Sequence, residues 1–129
     1  IVCLQMKRLD LALMHLQKTL EGEIALFGPD GSDLVMTHWN LALAYRTNDD
    51  PANASVHTLR CWEIEVQHKE RLDPDVLYTA FAYMYDLIAS NQRLIAREFR
   101  AMVCTEFEMI DNPSESQIER IEQIQGLEI

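Results

Sequence analysis

The chain has 129 residues, enough to bury the core of one domain. Hydrophobic residues make up 48% and charged residues 25%, an ordinary globular balance, and only 4 Gly and 4 Pro point to long regular elements. A formal net charge of −10, from 21 acidic and 11 basic residues, argues against a nucleic-acid or anionic-membrane surface, since both rely on Lys and Arg; a basic or apolar protein partner fits better.

Leu4 to Phe27 reads as a helix. Leu9, Ala12, Leu13, Leu16, Leu20 and Ile24 recur at three- and four-residue steps and share one face. Gly22 costs about 1 kcal/mol relative to Ala and weakens the last turns. Gly28-Pro29-Asp30-Gly31 stops the helix, and Ser32 or Asp33 can cap the next. The second helix, Leu34 to Arg46, is apolar on two sides, which suits a rod held between neighbours or lining a groove. The turn Thr47-Asn48-Asp49-Asp50-Pro51 follows, with Pro51 suited to the first turn of a third helix running from Ala52 to about Lys69.

Asp73-Pro74-Asp75 restarts the pattern. A helix from Val76 to Leu87 is dense in aromatics, a polar turn Ser90-Asn91-Gln92-Arg93 follows, and a helix runs from Leu94 to about Ile110. Asp111-Asn112-Pro113 breaks it. Ser114 and Gln117 are spaced as a capping box for a last helix with Ile118, Ile121 and Ile124 in a narrow stripe. The expectation is an all-α protein of about six helices. Residues 1–111 would form helical repeats, with hairpins at 33–70 and 73–111, and residues 112–129 a capping helix or the start of a further repeat. No apolar run is long enough to span a bilayer.

Side chains recur along the chain. Ala12, Ala54 and Ala96 return at a constant step of 42 in the numbering, as do Leu20, Trp62 and Cys104. The first helices align at a step of 40: Asp33 with Asp73, Leu41 with Phe81, Ala42 with Ala82, Tyr45 with Tyr85. The difference of two is expected in the turn inside the hairpin, where insertions are cheap. A period of this size with two helices per unit marks a helical solenoid, because one hairpin cannot bury its apolar faces alone.

Leu26-Phe27-Gly28-Pro29-Asp30, followed by Trp39-Asn40-Leu41-Ala42-Leu43-Ala44-Tyr45-Arg46 and Ala54, resembles a tetratricopeptide repeat of the kinesin-light-chain type. The resemblance covers Leu9 to Lys69 best and extends to Met109. It implies a right-handed superhelical stack of antiparallel helix pairs. It also implies a concave face, lined by the first helix of each pair, that binds a peptide or helix of a partner. In that family a groove asparagine contacts peptide backbone, a role that falls on Asn40, whose amide offers both a donor and an acceptor. Leu43 and Arg46 follow on the same face, Trp39 stands beside them, and Thr79, Tyr83 and Asp86 are the corresponding set in the second hairpin. Trp62 falls in the packing register.

Cys3, Cys61 and Cys104 are far apart and lie in apolar helical settings, as reduced buried thiols of a cytoplasmic protein do. His57, Cys61 and Glu65 step by four along one helix, yet Cys61 occupies a packing position, so no metal and no cofactor is expected. Glu63/Glu65 and Glu106/Glu108 diverge around a helix and cannot share a proton. No catalytic fingerprint occurs, and the expectation is a scaffold and not an enzyme. Two alternatives stand beside it: a structural module that self-associates through exposed terminal helices into a homo-oligomer, and a regulatory or substrate-recruiting region of a larger enzyme.

Overall fold

The computed structural model describes residues 2–129, with side chains from Lys7 onward, so the expectation of a buried Cys3 thiol lies outside the described residues. The described residues form six helices and no strand: α1 Val2–Phe27, α2 Leu34–Thr47, α3 Pro51–His68, α4 Pro74–Ala89, α5 Arg93–Glu108 and α6 Glu115–Gln125. Helix α1 runs unbroken through Gly22.

Local chemistry sets the ends. Gly28 closes α1 in the left-handed region (φ 81°), with its N–H on the Ile24 carbonyl. The Asp50 carboxylate accepts from the Asn53 amide at 3.2 Å ahead of Pro51. Asp73 accepts from the Asp75 amide at 2.9 Å ahead of Pro74. Ser114 and Gln117 form the full reciprocal capping box, with bonds of 3.1 and 2.8 Å. Asp33, in contrast, makes no side-chain cap bond.

Each helix packs on the next in sequence, and α4 also packs on α6. Contacts between successive helices run in opposite directions, as antiparallel pairing requires. Gln17 meets Tyr45 while Glu23 meets Thr37 across α1 and α2. Thr58 meets Asp86 while Glu65 meets Thr79 across α3 and α4. Between α2 and α4 the pairs Trp39–Tyr78 and Arg46–Asp86 advance together, so these first helices lie side by side and parallel.

Both hairpins obey a single offset of 42, which corrects the alignment of the first helices at 40. Inside the first turn, Asn48, Asp49 and Asp50 donate to the carbonyls of Ala44, Arg46 and Tyr45. At the same offset, Ser90, Asn91 and Gln92 donate to Asp86, Ile88 and Leu87. Asp49 (φ 56°) and Asn91 (φ 61°) both adopt the left-handed conformation. Buried positions follow the same step: Leu34 with Val76, Thr37 with Thr79, His38 with Ala80, Leu41 with Tyr83, Ala42 with Met84. The two extra residues therefore lie not in the intra-hairpin turn but at the start of α4, which begins at Pro74, ahead of Val76.

The buried apolar residues gather in three clusters. Leu20, Leu34, Leu41 and Ile64 fill the first junction. Leu77, Ala80, Met84, Val103, Ile121 and Ile124 fill the last. Ala54 and Ala96 are fully buried, as close helix approach demands, but Ala12 is exposed because no helix covers that side of α1. Trp62 packs edge-on to Phe99 at 5.0 Å with the Arg71 guanidinium over its ring, in keeping with a packing position.

Candidate functional site

The surface shared by α2 and α4 carries the candidate site. Trp39 and Tyr78 lie with ring centroids 5.8 Å apart and separate two adjoining hollows. One, about 180 Å³, is lined by Trp39, Arg46, Tyr78, Phe81, Ala82 and Tyr85. The other, about 470 Å³, is lined by Val35, Met36, Trp39, Glu65, Lys69, Asp75, Tyr78 and Thr79. Arg120 of α6 reaches over the Tyr78 ring at 4.9 Å.

Of the residues singled out from the sequence, Trp39 and Arg46 line these hollows, and Asn40 and Leu43 lie on the same helix outside them. Asn40 is exposed on α2, and Leu43, next to it, is 51% exposed. Trp39 is half-buried at the seam with α4. Arg46 donates through Nε and Nη2 to the two Asp86 carboxylate oxygens, both at 2.8 Å. That bidentate bond raises the Arg46 pKa further and fixes the guanidinium at the edge of the smaller hollow.

Thr79, Tyr83 and Asp86 are placed differently: they point into the protein. Asp86 is fully buried and also accepts from the Thr58 hydroxyl at 3.2 Å. Thr79 donates to Glu65 at 2.7 Å, and burial pushes the Glu65 carboxyl up. Tyr83 packs edge-on to Phe99, and burial raises its phenol pKa. The cause is the offset. Counted at 42, the true matches of Asn40, Leu43 and Arg46 are Ala82, Tyr85 and Ile88. Ala82 and Tyr85 line the hollow. Tyr78 and Tyr85, 44% and 52% exposed, are the residues of this candidate surface that counting by 40 missed. Their seven-residue spacing, two helical turns on one face, is the signal that finds them.

Behind the site, between α2 and α3, His38 Nδ1 and His57 Nδ1 lie 3.0 Å apart, and the Tyr45 ring stacks on His57 at 5.7 Å. Burial, aided by the neighbouring His57, lowers the His38 pKa to about 4, and burial lowers that of His57. The His57, Cys61 and Glu65 series does not converge. His57 turns to His38, Glu65 to Thr79, and the Cys61 thiol to the Val35 carbonyl at 3.4 Å. Burial pushes Cys61 up to about 12, which makes it a poor nucleophile and ligand. Among the described residues no group of three or more His, Cys, Asp or Glu is placed to hold a metal ion, and no helix is long and apolar enough to cross a membrane. No family model matches the sequence, and neither a curated protein nor a solved structure matches it.

Proposed function

We propose that the chain is a protein-interaction scaffold of the tetratricopeptide kind, a right-handed superhelical stack that works in the cytoplasm without enzymatic activity or cofactor. The α2–α4 surface receives an extended peptide or a helix from a partner protein. One observation carries this reading: Tyr78 and Tyr85 stand exposed on α4 beside a half-buried Trp39 on the parallel α2, and the inner faces of both helices are locked. Arg46–Asp86–Thr58 and Thr79–Glu65 fix the helices, so Trp39, Tyr78 and Tyr85 are presented on a rigid frame. Exposed rings on a rigid frame lose little entropy on binding and supply the anchors on which interfaces depend. Asn40 can bond a peptide backbone whatever its sequence, and the Trp39 indole and the Tyr78 and Tyr85 hydroxyls add donors around the hollow.

A displayed random-peptide library selected against the chain tests this. Selected peptides should lose about tenfold or more in affinity to Tyr85→Ala and to Asn40→Ala, while melting stays unchanged, since both residues are exposed. Peptides that bind these variants as tightly as the parent would remove the site.

A further inference from the structure

Among the described residues no helix covers the outer face of α1, and its side chains form a self-complementary pattern. At 100° per residue, Lys7, Asp10, Leu11, Lys18 and Glu21 all fall within about 60° of the direction of Met14. All six are exposed, Leu11 by 53% and Met14 by 51%. Now lay a second α1 on the first, end for end, with its midpoint at Met14. Lys7 comes opposite Glu21, Asp10 opposite Lys18, and Met14 meets Met14. The Leu11 side chains flank this centre. A parallel arrangement would instead set Lys7 on Lys7 and Lys18 on Lys18. The charges therefore select one orientation and one register, while the apolar centre supplies the attraction.

We propose that two copies of this chain pair through α1, antiparallel, about a twofold axis at Met14. The partner is a second copy because the same patch satisfies both sides, as a twofold interface requires. Contact from Lys7 to Glu21 covers roughly 22 Å of one helix face, less than the roughly 1,200 Å² at which standard specific interfaces begin. Association is therefore reversible and depends on concentration. It leaves the α2–α4 surface free, so it stands independently of the peptide reading.

Sedimentation equilibrium across roughly a hundredfold range of concentration is the test. The mass should rise from 14.9 kDa toward twice that value and no further. Met14→Glu should hold the monomer. Lys7→Glu should weaken pairing by about fivefold, and Lys7→Glu with Glu21→Lys should restore it to within about twofold, because the pair is reversed and not lost. Met14→Cys, oxidised, should give a covalent dimer that the Met14-containing chain does not form under the same conditions. The substituted side chains are exposed, and circular dichroism checks that each variant is folded. A monomer at every concentration, growth beyond a dimer, or a double charge reversal no better than Lys7→Glu would each overturn the proposal.

Discussion

Between α2 and α3 the contact is polar: His38 bonds His57, and Tyr45 stacks on His57. The equivalent three positions between α4 and α5 hold Ala80, Phe99 and Leu87, and that contact is apolar. The backbone does not register the difference. Both turns make the same three hydrogen bonds and put one residue at positive φ. Two unlike cores thus fit one hairpin geometry, because the turn and the helix spacing are set by the backbone and by small residues at Ala54 and Ala96. What the side chains change is how each hairpin responds to pH and how it is tied to its neighbour.

The largest effect should come from breaking that tie. Asp86 links α4 to α2 and α3, and its match in the first hairpin, Ala44, links nothing. Asp86→Ala strands Arg46, while the Thr58 hydroxyl keeps the Ala54 and Ser55 carbonyls, and should cost about 3 kcal/mol, near the low end for a broken buried pair because Arg46 keeps some solvent. Urea unfolding measures it, and a cost under about 1 kcal/mol would mean the hairpins are not coupled there.

Acid should distinguish the two cores. The fold keeps His38 neutral to about pH 4, whereas the unfolded chain takes up a proton below its ordinary 6.5. Stability is therefore full above pH 6.5 and falls by about 3 kcal/mol as the pH drops toward 4. Glu65, whose carboxyl is raised by burial, works in the opposite sense, so a control is needed. His38→Ala with His57→Phe installs the second hairpin's residues and should flatten the loss, read as the melting temperature against pH. A loss of equal size in that double variant would place the acid sensitivity elsewhere.

A smaller contrast lies in the repeated Thr–Glu contact. Glu23 with Thr37 and Glu65 with Thr79 are the same pair one unit apart, and the third unit replaces it with Phe107 and Ile121. Thr79→Val leaves the buried Glu65 short of a donor and should cost about 1–2 kcal/mol; Thr37→Val faces the better solvated Glu23 and should cost about half that. The smallest effect is also the sharpest test of equivalence. Asp49→Gly and Asn91→Gly each relieve a left-handed residue and should stabilise equally, by about 0.5 kcal/mol. Opposite signs would separate the two turns.

Most of the helices were legible because their signals are local. Pro51 and Pro74 open helices, Gly28 closes one, and the Ser114–Gln117 spacing is a cap that needs no tertiary contact. The return of a small residue from Ala54 to Ala96 also held, since close packing tolerates little else there. Half of the candidate surface was legible for the same reason: Trp39, Asn40, Leu43 and Arg46 belong to one continuous helix. The other half was not. Identical residues at a step of 40, such as Ala42 with Ala82 and Tyr45 with Tyr85, outweighed the weaker chemical likeness at 42.

The amino-acid sequence by itself determined six helices, their breaks, the caps of α3, α4 and α6, and the return of paired rods. Only the tertiary structure decided which face of α4 is inside. Two residues along a helix amount to a turn of roughly 200°, so a miscount of that size exchanges inner and outer sides. Thr79, Tyr83 and Asp86 moved from surface to core for that reason, and Tyr78, Ala82 and Tyr85 took their place beside Trp39. Chain spacing cannot reveal where between two hairpins a residue has been gained or lost; the meeting of Arg46 with Asp86 and of Glu65 with Thr79 does.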